Sequence, residues 1–97
     1  MVYLLIDTPE LAKQSLFDFA EDVVESRPTL KSVQFNTNAP TSAQTESFVS
    51  ALYLSPSVTI FEEVNINAVD FSDDATCEGL ASLIDQARAM TDLYMKN

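Results

Sequence analysis

Apolar residues recur along this chain in a six-residue figure that appears four times. It occupies residues 1–6, 30–35, 61–66 and 90–95, and each copy is apolar at its first, fourth and sixth positions. The copies begin 29, 31 and 29 residues apart, so the period is nearly constant. Self-similarity of that kind marks a repeat architecture. The two extra residues of the second interval fall in residues 55–60, a Ser-Pro turn signal followed by an apolar lead-in. Each figure ends in alternation of apolar and other residues, as a half-buried strand requires.

A helical pattern follows each of the first three strands. In the first, Thr8 is placed to cap and Pro9 to occupy the first helical position, with Glu10 in the first turn, where the helix dipole favours an acid. Leu11, Phe19, Val23 and Val24 form its apolar stripe, and Arg27-Pro28 ends it. The second takes Ser42 as cap and Phe48, Val49, Leu52 and Tyr53 as stripe, and closes at Ser55-Pro56. The third takes Ser72 as cap, sets Asp73 and Asp74 on the dipole, and lines up Leu80, Leu83, Ile84 and Ala87. Phe19, Phe48 and Leu80 stand at matching depths in their units, as do Val23, Leu52 and Ile84.

Alternation of strand and helix implies crossovers and parallel strands. A sheet covered on both faces reads as continuous apolar runs. Here the slots between the apolar ones are mostly polar, so one face is expected to be wet and the helices to lie on the other. The period, the L-x-x-L-x-L spacing and a helix after each strand resemble the leucine-rich repeats of the ribonuclease-inhibitor class. The best match is residues 30–38, including Asn38 at the ninth position, whereas that position is Pro9 in the first unit and Val69 in the third. The family's usual mid-unit glycine is absent, the single glycine being Gly79. The resemblance covers the whole chain and implies an α/β solenoid with strands on the concave face and helices on the convex one. It divides a single repeat domain, 1–97, into units 1–29, 30–60 and 61–89 and a closing strand 90–97.

The resemblance also implies a mode of action: binding of a protein or peptide by the concave strand face. Carried over by position, the third, fifth and seventh residues of each unit face that surface. They are Tyr3, Leu5 and Asp7; Ser32, Gln34 and Asn36; Glu63, Asn65 and Asn67; and Asp92, Tyr94 and Lys96. Polar groups with two tyrosines make a usable interface composition. Met1 fills the first strand slot and Asn97 follows the last strand, so the repeat ends are expected to expose apolar edges. Another protein, or the chain itself, is the expected partner there.

Charge and chemistry narrow the remaining choices. The 97 residues carry 15 acidic and 5 basic groups, a net charge of -10, with 46% apolar residues. That field repels nucleic acid and anionic lipid, and no apolar run is long enough to insert into a membrane. The chain has no His and only one Gly, which removes the commonest general base and metal ligand as well as any glycine-rich phosphate cradle. Asp70, Asp73 and Asp74 lack the EF-hand spacing, and helix capping accounts for the last two. No enzyme activity, cofactor or metal is expected. Cys77, the single cysteine, reads as a small buried hydrophobe, and a soluble, reducing intracellular setting fits. Two alternatives remain. Residues 69–73 resemble the strand-to-helix turn of the sulfate-transporter/anti-sigma-antagonist family, in which Ser72 is the switch residue. The acidity alone would also suit a small decoy of a basic protein.

Overall fold

A computed structural model describes residues 2–11, 13–38, 40–66 and 72–95. Among them run β1 (Tyr3–Leu11), α1 (Gln14–Ser26), β2 (Ser32–Asn38), α2 (Ser42–Leu54), a 3₁₀ turn (Val58–Ile60), β3 (Glu63–Ile66), α3 (Asp74–Gln86) and β4 (Asp92–Met95). The fold is mixed α/β, with a four-stranded parallel sheet in the order β1-β2-β3-β4 and three helices. Among the described residues, no helix is long and apolar enough to cross a membrane.

Strand partners fall 29, 31 and 29 residues apart, as in Tyr3–Ser32–Glu63–Asp92. The spacing of the apolar figure is therefore the pairing register of the sheet. Leu4, Val33, Val64 and Leu93 form one inward row, and Ile6, Phe35, Ile66 and Met95 the next. One backbone device repeats at the start of every strand. The carbonyl of Val2 accepts the N–H groups of Lys31 and Ser32; that of Lys31 accepts those of Glu62 and Glu63; that of Glu62 accepts those of Thr91 and Asp92.

The helices form one layer over the inward rows, α1 against α2 and α2 against α3. Phe17, Phe35 and Phe48 meet at the centre, with the Phe35 ring 4.7 Å from each of the other two. Tilted and edge-on rings at such distances contribute about 0.5–1.5 kcal/mol per pair beyond their buried area. Leu30 and Phe61, which open the second and third units, are fully buried.

Several helix boundaries differ from the sequence expectation. Thr8 and Pro9 do not start α1, because β1 runs on through them and Glu10 to Leu11. The register slips between Asp7 and Leu11, so three residues of β1 bulge against one of β2. An edge strand accepts a proline there because its outer N–H has no ladder partner to lose. The stripe of α1 is Phe17, Ala20, Val23 and Val24, while Phe19 is 57% exposed. Equivalent depth therefore belongs to Ala20, Phe48 and Leu80, each seventh in its helix. Thr41, not Ser42, caps α2 in a capping box with Gln44. Asp73, not Ser72, caps α3, accepting from the Thr76 amide at 3.0 Å.

Two further differences share one cause. Ile84 is 59% exposed, and Cys77 is an exposed thiol rather than a core residue. They are the fourth and eleventh residues of α3. Their counterparts Phe17 and Val24 in α1, and Thr45 and Leu52 in α2, are buried, and Phe17 packs edge-on against Phe48 of α2. Among the described residues, no helix follows α3.

The longer second interval is absorbed by a buried serine pair. The Ser57 hydroxyl accepts the Leu30 amide at 2.9 Å and donates to the Arg27 carbonyl. Ser55 donates to the Val24 carbonyl at 2.7 Å and accepts the Ser57 amide at 3.0 Å. Together they satisfy backbone groups at the end of α1 that burial cuts off from water. In the helix layer, Gly79 lets α3 approach α2. A Cβ there would lie 2.8 Å from Val49 Cγ1.

Ser57→Ala should cost about 1–3 kcal/mol, because it leaves the buried Leu30 amide without an acceptor. Thermal unfolding monitored by circular dichroism checks this. Gly79→Ala should destabilise by about 1 kcal/mol, overpacking outweighing the helical gain. In a Val49→Ala background the same change should instead stabilise. Denaturant midpoints of the four proteins in this cycle give the test.

Candidate functional site

Residues that alternate with the inward rows make the opposite face of the sheet. Pairing sets them in cross-strand rows: Tyr3–Ser32–Glu63–Asp92, Leu5–Gln34–Asn65–Tyr94, and Asp7–Asn36. Neighbours in a row stand about 4.8 Å apart, the strand spacing. Tyr3, Leu5, Asp7, Gln34, Asn36, Glu63, Asn65, Asp92 and Tyr94 thus share one surface; Asn67 and Lys96 lie outside the described residues.

The face is banded. On the central strands, Ser32, Gln34, Asn36, Glu63 and Asn65 are half-buried by their row neighbours. One carboxylate oxygen of Glu63 accepts from both Gln34 Nε2, at 2.7 Å, and Ser32 Oγ, at 3.2 Å. Bonds to an ionised acceptor are the stronger kind, so this group fixes the middle of the surface. The outer strands carry the exposed apolar groups, with Tyr3 and Leu5 on β1 and Tyr94 on β4. Asp7 on β1 and Asp92 on β4 are exposed beside them, so each margin mixes apolar and acidic groups.

The helix layer contains a second polar feature that the strand pattern did not reveal. A groove between α2 and α3 is lined by Glu46, Ser50, Tyr53, Glu78 and Ser82. Ala75, Gly79 and Ser82, small residues on one face of α3, are the sequence signal for the close approach that forms it. Among the described residues, no three His, Cys, Asp or Glu side chains are grouped to hold a metal ion. Ser72 is exposed in the turn before α3.

No family model, curated protein or solved structure matches the chain.

Among the described residues, Glu21 of α1 is an acid set in a partly buried site. Burial between the helices raises the Glu21 carboxyl above its usual range, the hydrogen bond with Ser47 opposes this, and Asp18 and Glu25 push it further up. Its Oε1 is buried without a hydrogen-bond partner. A raised carboxyl pKa means that the folded state binds the proton more tightly than the unfolded chain does. Stability therefore falls as pH rises through the carboxylate range, and the cost is complete above the folded pKa. Glu21→Gln should unfold at a higher temperature than the parent at neutral pH. The difference should close as pH is lowered past the ordinary Glu pKa, and paired melting curves across that range check it.

Proposed function

We propose that this chain is a leucine-rich-repeat solenoid of the ribonuclease-inhibitor-like class. It works as a non-catalytic scaffold or repeat module that binds other proteins. The observation that carries the reading is the sheet itself. Four parallel strands stand in sequential order, helices cover one face, and the other face presents aligned rows of polar and apolar side chains.

Several features support a binding role over a catalytic one. The rows hold no His, Cys or Lys among the described residues, and the central carboxylate, Glu63, is already hydrogen-bonded to Gln34 and Ser32. They do offer Tyr3 and Tyr94 at the margins, the residue type that most often anchors protein interfaces. The net charge of -10 favours a basic or neutral protein partner and disfavours nucleic acid. The partner engages the strand face, and the two sheet edges offer further contact.

The test compares proteins retained from native extract by the parent and by a Gln34→Ala, Asn65→Ala, Tyr94→Ala variant. All three residues lie in one row and outside the core. Specific partners should be retained by the parent and reduced at least about tenfold by the variant, the loss expected when about 1.4 kcal/mol of contact is removed. Equal retention of every captured protein would remove the strand face as the binding surface.

A further inference from the structure

We infer that the outward face of the sheet takes an arginine-bearing, basic segment of another protein, with a guanidinium seated on Glu63 at the centre of the face. This rests on the strand-face reading above and names the chemistry of the partner. The described residues of the face carry charge of one sign only. Asp7, Glu63 and Asp92 stand in its rows, and no Lys or Arg stands there. The described basic residues, Lys13, Arg27, Lys31 and Arg88, all lie outside the rows.

Glu63 differs from the other two acids in how it is held. It lies on β3, an interior strand, and is half-buried. Ser32 and Gln34 both donate to its Oε1, which fixes the carboxylate and leaves Oε2 to accept from a partner. Asp92 is its register partner on β4, one strand spacing of about 4.8 Å away. Two carboxylates that close repel each other, and a cation between them is attracted to both. The rows themselves supply no such cation among the described residues, so the face is complementary to one that a partner carries.

The surroundings favour a guanidinium over an ammonium. Its planar fork of N–H donors can bond Glu63 with one edge and Asp92 with the other, and it is more weakly hydrated than an ammonium. Tyr94 lies two residues beyond Asp92 on the same face, about 6.6 Å along the strand, where a guanidinium can stack on its ring. Asn65, the row partner of Tyr94, adds a side-chain carbonyl as a further acceptor. A divalent metal ion fits less well, since no three metal-ligating side chains are grouped among the described residues.

Titration of the isotope-labelled full chain with a hexa-arginine peptide, followed by NMR, tests this. Salt is held at about 0.15 M, where distant charges are screened. The backbone amides of Glu63, Asn65, Asp92 and Tyr94 and the side-chain amide of Gln34 should shift together. Glu63→Gln keeps an acceptor for Ser32 and Gln34 but removes the charge. It and Asp92→Asn should each weaken the peptide at least about tenfold, as loss of a charged hydrogen bond does. Tyr94→Ala should weaken it about threefold. Asp85→Asn removes one exposed charge from α3 and should leave the affinity within about twofold. A hexa-lysine peptide should bind more weakly than hexa-arginine. Equal binding of the two peptides, or an equal loss in Asp85→Asn and Glu63→Gln, marks a diffuse acidic field and overturns the proposal. The same shifts on adding calcium chloride alone, or on concentrating the chain alone, overturn it in favour of a metal ion or a second copy. If proteins are captured by the strand face and lost in its triple variant, while hexa-arginine leaves Glu63 unmoved, this proposal falls and the binding face stands.

Discussion

Every pass of this chain starts at a shared carbonyl. The oxygens of Val2, Lys31 and Glu62 each take two amides from the next pass, and that paired acceptance fixes where a strand begins relative to its neighbour. Since side chains alternate with period two, a slip of one residue would turn every inward valine and phenylalanine to water. The inward rows, the aromatic cluster and the banded outer face all inherit their alignment from this anchor. The serine pair makes the anchor compatible with unequal units. The second pass is two residues longer, and Ser55 and Ser57 turn the surplus into hydrogen bonds for the end of α1. A loop without those hydroxyls would leave buried backbone groups unmatched.

The strand half of each unit was legible because its signal is binary and local. The apolar slots at Leu30, Val33 and Phe35 and at Phe61, Val64 and Ile66 are occupied as their spacing predicts, and all six are buried. The helix starts were less legible. Thr8-Pro9 has the chemistry of a helix opening, yet pairing extends β1 to Leu11. A hydrogen-bond partner three strand-lengths away in sequence outweighs a local preference. The cap of α1 is Lys13, which makes no side-chain cap bond, so residue type gave no mark of the true start. With the start misplaced, Phe19 took the slot that belongs to Ala20.

Cys77 and Ile84 illustrate a different limit. Both have the composition of core residues, and both occupy positions that are core in the preceding helices. Their exposure depends on which elements stand beside α3, a property that no window of residues around them contains. The same holds for the outer face. Its membership was legible from alternation, but the Glu63 carboxylate joining Ser32 and Gln34 required knowledge of which strands are neighbours.

Gly79 has a consequence beyond the contact it permits. Strands are spaced about 4.8 Å apart, while helices resist approaching closer than about 8 Å. A stack of strand–helix passes must therefore bend, with the bend set by how thick the helices are where they touch. Small residues at Ala75, Gly79 and Ser82 thin that wall on one side of α3. They act as wedges of adjustable width, so the arc of the strand surface is set from the opposite side of the molecule.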